Sequence, residues 1–205
     1  TYSDYVKYVR NVEQKTLTGD WVRSFEEVEI SNYLYLNGIK FEYEKKYEGK
    51  HDFKSLQNEV DNKAKNQLKV KKLYKGEYHP DFYLTDYDIY LEHFALNKNN
   101  EAPPFFKNKD EYYQQYLKKK ELHKINKTKL ITTYSWQKQE EILTTNLEKQ
   151  LKKFDVKYKR LKDSEIMAKF KETGSINNFS RLISTFLSHY KSNELIIDDV
   201  KKKFI

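Results

Sequence analysis

One segment limits the fold of this chain more than any other: residues 78–94, YHPDFYLTDYDIYLEHF. It is rich in aromatic side chains and divides into two runs that flank Thr85 and Asp86. Such runs predict two strands joined by a tight turn. Pro80 has no backbone N–H to donate to a sheet, so we expect it at the start or the edge of the first strand.

The spacing of this hairpin predicts that two carboxylates share one face. A two-residue turn at Thr85 and Asp86 places Asp81 opposite Tyr90. Glu92 lies two residues beyond Tyr90, so it points to the same face as Asp81. The two acids are then diagonal neighbours, about 7–8 Å apart at the backbone. A shift of one residue would put them on opposite faces.

Two carboxylates on one face predict a divalent cation site. Mg²⁺ prefers oxygen ligands and keeps several waters, so Asp81 and Glu92 are its predicted ligands, with Mn²⁺ as a substitute. Such an ion orients an attacking water and neutralises charge on a scissile phosphate. The alternative is that Asp81 is a turn residue and Glu92 a solvated strand position. His79 and His93 flank the acids, as supporting partners, DNA contacts or half-exposed strand residues.

A third acid comes from a strong helix signal. Ser24 and Glu27 fit a capping box, with Ser24 as N-cap, and Asn37-Gly38 predicts the helix end. Glu27 shares a helical stripe with Ile30 and Leu34, which places a carboxylate on an otherwise buried face. The alternative is that capping alone explains Glu27, and the two roles are compatible.

A basic helix supplies the candidate cation. Lys119 and His123 lie four residues apart, on one stripe with Tyr112 and Tyr116. A lysine beside a metal-bound water can polarise that water or hold the phosphate. The alternative is that residues 118–120 form a solvated charged face.

The remaining patterns predict an α/β chain that ends in helices. Its predicted parts are a turn at 18–20, a strand at 39–44, a polar insertion at 48–76, a loop at 97–109, a helix from Asp110 to about Ile125, a strand at 129–136, helical spacing from 137 onward and an amphipathic helix around 179–187.

Composition excludes several classes of protein. With no Cys, a disulfide scaffold, a thiol nucleophile and a Cys-ligated zinc site are ruled out. Only 5 Gly occur in 205 residues, and neither a Walker loop nor a His-Glu-x-x-His or Gly-x-Ser-x-Gly motif is present. No apolar run reaches the roughly 20 residues of a membrane span, and no signal peptide is evident. We therefore expect a bacterial cytoplasmic setting without membrane association.

The net charge of +8 favours phosphate backbones as partners, although a solvated surface is the alternative explanation. Residue 1 is Thr rather than Met, so we expect a piece of a longer protein.

Taken in order, these motifs resemble the restriction-endonuclease-like fold with its PD-(D/E)XK motif. They are more specifically similar to a domain inserted in UvrD-like superfamily 1 DNA helicases of the helicase IV type. The similarity covers roughly residues 20–155, and residues 179–191 resemble helicase-body sequence. The segments that carry it are 22–27, 37–44, 78–82, 89–94, 122–123 and 128–136.

The resemblance implies a role for each matching residue. Asp81 and Glu92 would bind the metal, and Glu27 would complete the site. The motif has Lys two residues after the second acid, where this chain has Phe94. In some relatives that Lys lies on the following helix, where Lys119 or Lys120 could serve. Lys119 is the expected fourth catalytic residue because it shares a stripe with His123. The expected DNA contacts are His79, His93, Lys120 and His123.

The sequence thus predicts a mixed central sheet flanked by helices, with a helical C-terminal extension. Residues 1–20 would connect to a parent chain, 21–155 would form the nuclease-like domain, and 156–205 would lead back to the helicase body. The expected activity is Mg²⁺-dependent hydrolysis of DNA phosphodiesters, in a DNA repair or phage defence enzyme whose motor binds ATP. The alternatives are an inactive domain that guides DNA to the motor, or a protein-interaction domain.

Overall fold

The computed structural model describes residues 14–50 and 77–192. The chain divides into two compact units, residues 1–160 and 161–205. The polar insertion expected at 48–76 lies, from residue 51 onward, outside the described residues, as do residues 1–13 and 193–205.

The first unit is an α/β fold built on a mixed sheet. Its elements are β1 (Gln14–Lys15), β2 (Trp21–Val22), α1 (Phe25–Leu36), β3 (Glu42–Tyr43), β4 (Phe82–Leu84), β5 (Ile89–Phe94), α2 (Lys109–Asn126), β6 (Lys129–Tyr134), α3 (Ser135–Gln139) and α4 (Leu143–Lys153).

The main sheet has the order β3-β4-β5-β6. Neighbours pair antiparallel except β5 and β6, which run parallel. Parallel neighbours need a crossover connection, and α2 lies within it. The prediction of a mixed sheet flanked by helices is therefore confirmed. The small β1-β2 hairpin surrounds the turn expected at 18–20.

Helix α1 begins and ends where the sequence predicts. The Ser24 side chain accepts a hydrogen bond from the Glu27 backbone N–H. Gly38 follows the helix at φ +68°, in the left-handed region that favours glycine. A Cβ at Gly38 would collide with the backbone carbonyl of Lys159, so a side chain is excluded there on two grounds.

The predicted hairpin register is wrong, because the turn is longer than two residues. Tyr83 pairs with Tyr90, and residues 85–88 form the turn, with Asp88 at φ +52°. Two further residues along this register place Asp81 directly opposite Glu92 rather than diagonal to it. Two extra residues preserve the alternation of the strand, so the shared face survives.

The other boundaries shift by smaller amounts. The Asp110 cap is wrong: α2 starts at Lys109 with Asn108 as N-cap, and Asp110 lies in the first turn, where an acid favours the helix dipole. Of the strand expected at 39–44, only β3 forms. The strand expected at 129–136 ends at Tyr134, because α3 begins at the next residue.

The sheet carries different cores on its two faces. One face packs on α1 and α4 and is apolar; its buried residues are Ile30, Leu34, Ile39, Phe82, Leu84, Ile89, Leu91, Ile131, Leu143, Leu147, Leu151 and Val156. The other face lies against α2 and is aromatic, with two buried clusters: Tyr47, Tyr78, Tyr90 and Leu122, and then Phe94, Leu96, Ala102 and Tyr116.

The second unit contains α5 (Asp163–Glu172) and α6 (Ser175–Ser192). The amphipathic pattern around 179–187 falls inside α6. Helix α5 lies in the region of helical spacing expected from 137 onward, where the sequence pattern gives it no bounds of its own. Among the described residues, no helix is long and apolar enough to cross a membrane.

Candidate functional site

Four elements bring the four predicted catalytic residues together. Glu27 lies in α1, Asp81 immediately before β4, Glu92 in β5 and Lys119 in α2. The Asp81 carboxyl group interacts electrostatically with the other three side chains. The fold therefore assembles one acidic cluster with a lysine beside it.

Glu92 is the buried centre of this cluster. Its exposed fraction is 0%. The Lys119 ammonium lies 2.7 Å from its Oε2, and the Tyr78 hydroxyl donates to its Oε1 over 2.6 Å. Burial raises the pKa of Glu92, and both partners oppose that rise because they stabilise the charged form.

Asp81 is partly buried and held by the neighbouring strand. The backbone N–H of His93 donates to Asp81 Oδ2 over 2.6 Å. Burial raises the pKa of Asp81 well above its usual range, and the adjacent Glu92 carboxylate raises it further, whereas Lys119 lowers it. Two acids facing each other with strongly perturbed pKa values are typical of functional sites.

Glu27 serves the helix cap and lies within the cluster at the same time. Its Oε1 accepts from the Ser24 hydroxyl at 2.9 Å, and its Oε2 accepts from Arg23 N–H at 3.2 Å. The Tyr43 hydroxyl also donates to Oε2, over 2.7 Å. The two interpretations offered by the sequence are thus compatible in the structure.

Lys119 brings a positive charge to the cluster from α2. Its side chain is 18% exposed. The ammonium lies 5.3 Å from the centre of the Tyr78 ring and 5.7 Å from that of Phe94. Phe94 itself is buried and packs edge-on against Tyr116. The helix, rather than the strand, brings the positive charge to Glu92.

Two of the predicted DNA contacts lie at the surface. His79 is exposed; its Nδ1 lies 2.7 Å from the Glu44 carbonyl oxygen and its Nε2 3.7 Å from a Glu77 carboxylate oxygen. Lys120 is also exposed, and its ammonium donates to the Tyr116 hydroxyl over 3.1 Å. Both side chains can reach a ligand.

The other two histidines are held inside the fold. His123 is 2% exposed, so its predicted role as a DNA contact is wrong: the ring is part of the α2-side core. His93 is half-buried, and its ring nitrogens lie 2.9 Å from Thr133 Oγ1 and 3.4 Å from Ser135 Oγ. Burial lowers the pKa of each histidine to about 4, so both are neutral at pH 7.

A groove of about 1260 Å³ opens over the cluster. Glu27, Asp81 and Lys119 line it. Phe25 and Phe105 line it too, and their side chains are 54% and 50% exposed. A ligand can therefore reach the Glu27 and Asp81 carboxylates past exposed aromatic rings.

Asp81 and Glu92 would be the ligands of Mg²⁺, although they do not form a complete cage. Within residues 14–50 and 77–192, no group of three or more His, Cys, Asp or Glu side chains is arranged to hold a metal ion. Mg²⁺ needs only one or two carboxylates because it keeps several waters. A carboxylate has about four lone-pair sites, so Glu92 retains capacity beyond Tyr78 and Lys119.

The sequence patterns do not indicate two tyrosines that support the acids. Tyr78 and Tyr43 donate hydrogen bonds to Glu92 and Glu27. Tyr78 lies 14 residues before Glu92 and outside any strand, so no periodic pattern links the two. Tyr43 alternates with charged residues in its segment, but that alternation does not predict a hydrogen bond to Glu27.

Comparisons with protein-family models, with curated proteins and with solved structures give no match to this chain. The family resemblance of the motifs is therefore a proposal, and its support comes from the geometry of the site.

Proposed function

We propose that the first unit is a nuclease-like domain that hydrolyses DNA phosphodiester bonds with Mg²⁺, inserted in a UvrD-like superfamily 1 helicase. The observation that carries this proposal is the convergence of Glu27, Asp81 and Lys119 at one groove, with the buried Glu92 paired to Lys119 beneath it. Acidic pairs with a lysine beside them suit hydrolysis of phosphate esters, because they can hold a cation and a phosphate together.

Each residue has a role that follows from its surroundings. Asp81 and Glu92 would hold Mg²⁺, which orients the attacking water and neutralises charge on the phosphate. Lys119 would bind a non-bridging phosphate oxygen, since its ammonium lies at the groove and beside Glu92. Glu27 would orient water from the α1 side. Water would add to phosphorus and give up a proton, the P–O bond to the leaving oxygen would break, and that oxygen would take up a proton.

The rim of the groove favours nucleic acid with unpaired bases. Phe25 and Phe105 are exposed there, and aromatic rings stack on bases with about 1–3 kcal/mol per base. Duplex DNA keeps its bases stacked inside, so it gains nothing from these rings. A single-stranded segment or end is therefore the preferred substrate.

Cleavage of labelled single-stranded DNA by the full chain tests the proposal. Wild type should cleave with Mg²⁺ or Mn²⁺ and stop on addition of EDTA. Asp81→Asn and Lys119→Met should each reduce the rate at least 100-fold, whereas Lys124→Met, at an exposed position of the same helix, should stay within about twofold. Cleavage that survives in Asp81→Asn at the wild-type rate would overturn the proposal.

A second function is favoured by one specific observation: Lys119 is already paired with Glu92, and Glu27 is already engaged as a cap. A domain with its acids so occupied can guide DNA to the motor without cutting it. That function predicts salt-sensitive DNA binding, no cleavage with any divalent ion, and unchanged affinity in Asp81→Asn.

A further inference from the structure

A chain of buried polar groups leads away from Glu92 into the α2-side core. The Tyr78 hydroxyl donates to Glu92 Oε1 over 2.6 Å and lies 3.1 Å from His123 Nε2. On the far side of the imidazole, His123 Nδ1 lies 2.7 Å from Thr128 Oγ1, which lies 3.0 Å from the Tyr47 hydroxyl. The route thus crosses β5, α2 and the β6 approach.

The direction of each hydrogen bond follows from proton counting. A phenol has one O–H, and that of Tyr78 is given to Glu92. The Tyr78 oxygen can therefore only accept from His123, so His123 Nε2 must carry a proton. His123 is neutral at pH 7, because burial lowers its pKa to about 4, and a neutral imidazole has one N–H.

The rest of the chain is then determined. His123 Nδ1 has no proton and accepts from the Thr128 hydroxyl at 2.7 Å, a contact shorter than the 3.4 Å between that hydroxyl and the His123 carbonyl oxygen. With its proton directed to His123, the Thr128 oxygen accepts from Tyr47. Every donor in the series therefore points towards the Glu92 carboxylate.

We propose that Tyr78 and His123 are positioning residues, which form a one-way hydrogen-bond relay from Tyr47 to Glu92. The relay fixes Glu92 Oε1 and leaves Oε2 directed at Lys119 and the cation. The part of this inference that concerns the cation rests on the proposed function, whereas the relay itself does not.

Packing supports a role beyond filling space. Tyr47, Tyr78 and His123 are mutually in ring contact, with centroid separations of 4.8 to 5.8 Å. The Tyr47 backbone N–H also donates to the Tyr78 carbonyl over 2.8 Å, so a backbone hydrogen bond joins the two tyrosines of the relay. Apolar residues would fill this space without the cost of burying polar groups. Polar groups here act on Glu92, which needs donors in a buried site.

Nitrogen-15 NMR of the histidine side chains in the full chain tests the relay directly. At pH 7 His123 should show a protonated Nε2 and an unprotonated Nδ1. A proton on Nδ1 alone, or an imidazolium at this pH, would overturn the relay.

Variants then test whether the relay positions Glu92. Tyr78→Phe keeps the ring and removes the donor, and we expect it to weaken Mn²⁺ binding about 10- to 100-fold, as supporting partners of metal ligands do. Tyr83→Phe is the matched control: its hydroxyl lies in the same aromatic cluster but donates to Asp88, so Mn²⁺ affinity should not change. Equal Mn²⁺ affinities in both variants and wild type would overturn the positioning role.

Substitutions at His123 separate positioning from folding. The amide of His123→Gln can donate to Tyr78 and accept from Thr128, so Mn²⁺ affinity should recover to within about threefold of wild type. His123→Leu fills the site without either bond and should lose at least tenfold. Equal losses in the two variants would show a merely structural role. If wild type binds no Mn²⁺, the proposed function fails, and the NMR result alone decides the relay.

Discussion

The two faces of strand β5 follow different physical rules. Ile89 and Leu91 point to the α1 and α4 side, where the core is apolar and requires only shape and volume. Glu92 points to the α2 side, where each polar atom needs a particular partner: Tyr78 for one oxygen and Lys119 for the other. One strand thus combines an apolar face that tolerates many residues with a polar face that needs particular partners.

The two faces of β5 differ in how strictly they specify their residues. On the apolar face, many residues of similar size would serve. On the α2 face, a buried carboxylate without its donors would carry an uncompensated charge. Because a buried carboxylate costs stability, we expect the arrangement around Glu92 to have a functional role.

The largest expected effect is on the apolar face. Leu91→Ala removes a fully buried side chain and should destabilise the first unit by about 3–5 kcal/mol, since it leaves a cavity. Chemical denaturation measures this loss. The pair Asp81 and Glu92 should still bind Mn²⁺ below the transition. A loss under about 1 kcal/mol would mean that the apolar face is not the stabilising one.

On the α2 face, Lys119→Met should destabilise by about 2–3 kcal/mol, because it leaves the Glu92 carboxylate buried and unpaired. The double variant Lys119→Met with Glu92→Gln should recover most of that loss, as both charges are gone. Lys120→Met, on the exposed side of α2, should stay within about 0.5 kcal/mol. Denaturation curves that do not distinguish Lys119→Met from Lys120→Met would contradict the pairing.

Much of the apolar face and of the cluster could be predicted from the sequence. The capping box of Ser24 and Glu27 and the left-handed Gly38 are local signals, and local signals gave the right bounds for α1. Alternation gave the shared face of Asp81 and Glu92. The shared face is correct although the turn has four residues instead of the predicted two, because a difference of two residues preserves the alternation of side chains.

The partners on the α2 face could not be predicted in this way. Tyr78 and His123 lie 45 residues apart, and the contact between them depends on how α2 crosses the sheet. Sequence spacing placed His123 on the same stripe as Lys119, but it could not show that this stripe is buried at His123 and open to the groove at Lys119.

A smaller effect of opposite sign is expected at Asp81. Its pKa is raised in the folded state, so the folded state binds the proton more tightly than the unfolded chain. Stability is then lost as pH rises from the usual Asp pKa through the raised value. Asp81→Asn keeps an acceptor for His93 and should stabilise the first unit at pH 7 by about 1 kcal/mol, after allowance for partial exposure.

Thermal unfolding from pH 4 to pH 8 measures that difference. The gain in Asp81→Asn should shrink towards pH 4, where the folded wild-type carboxyl group is protonated and the unfolded one is close to its own pKa. A gain that is the same at every pH, or a loss at pH 7, would contradict the raised pKa.

The smallest effect on stability is expected at the groove rim. Phe105 is half exposed, so Phe105→Ala should change the free energy of unfolding by less than about 0.5 kcal/mol. It should nevertheless weaken binding of a single-stranded oligonucleotide about fivefold or more, as the loss of one stacked base does. Fluorescence anisotropy checks this, with a duplex of the same sequence as the control ligand. Equal losses for both ligands would remove the preference for unpaired bases.

The proposed divalent cation site consists of Asp81 and Glu92. Titration calorimetry of Mn²⁺ into the full wild-type chain and into Asp81→Asn measures whether these two residues bind a cation. We expect binding of one ion by wild type and at least a tenfold loss in Asp81→Asn, whose amide is a weaker ligand. No binding by wild type, or equal affinity in the two proteins, would contradict it.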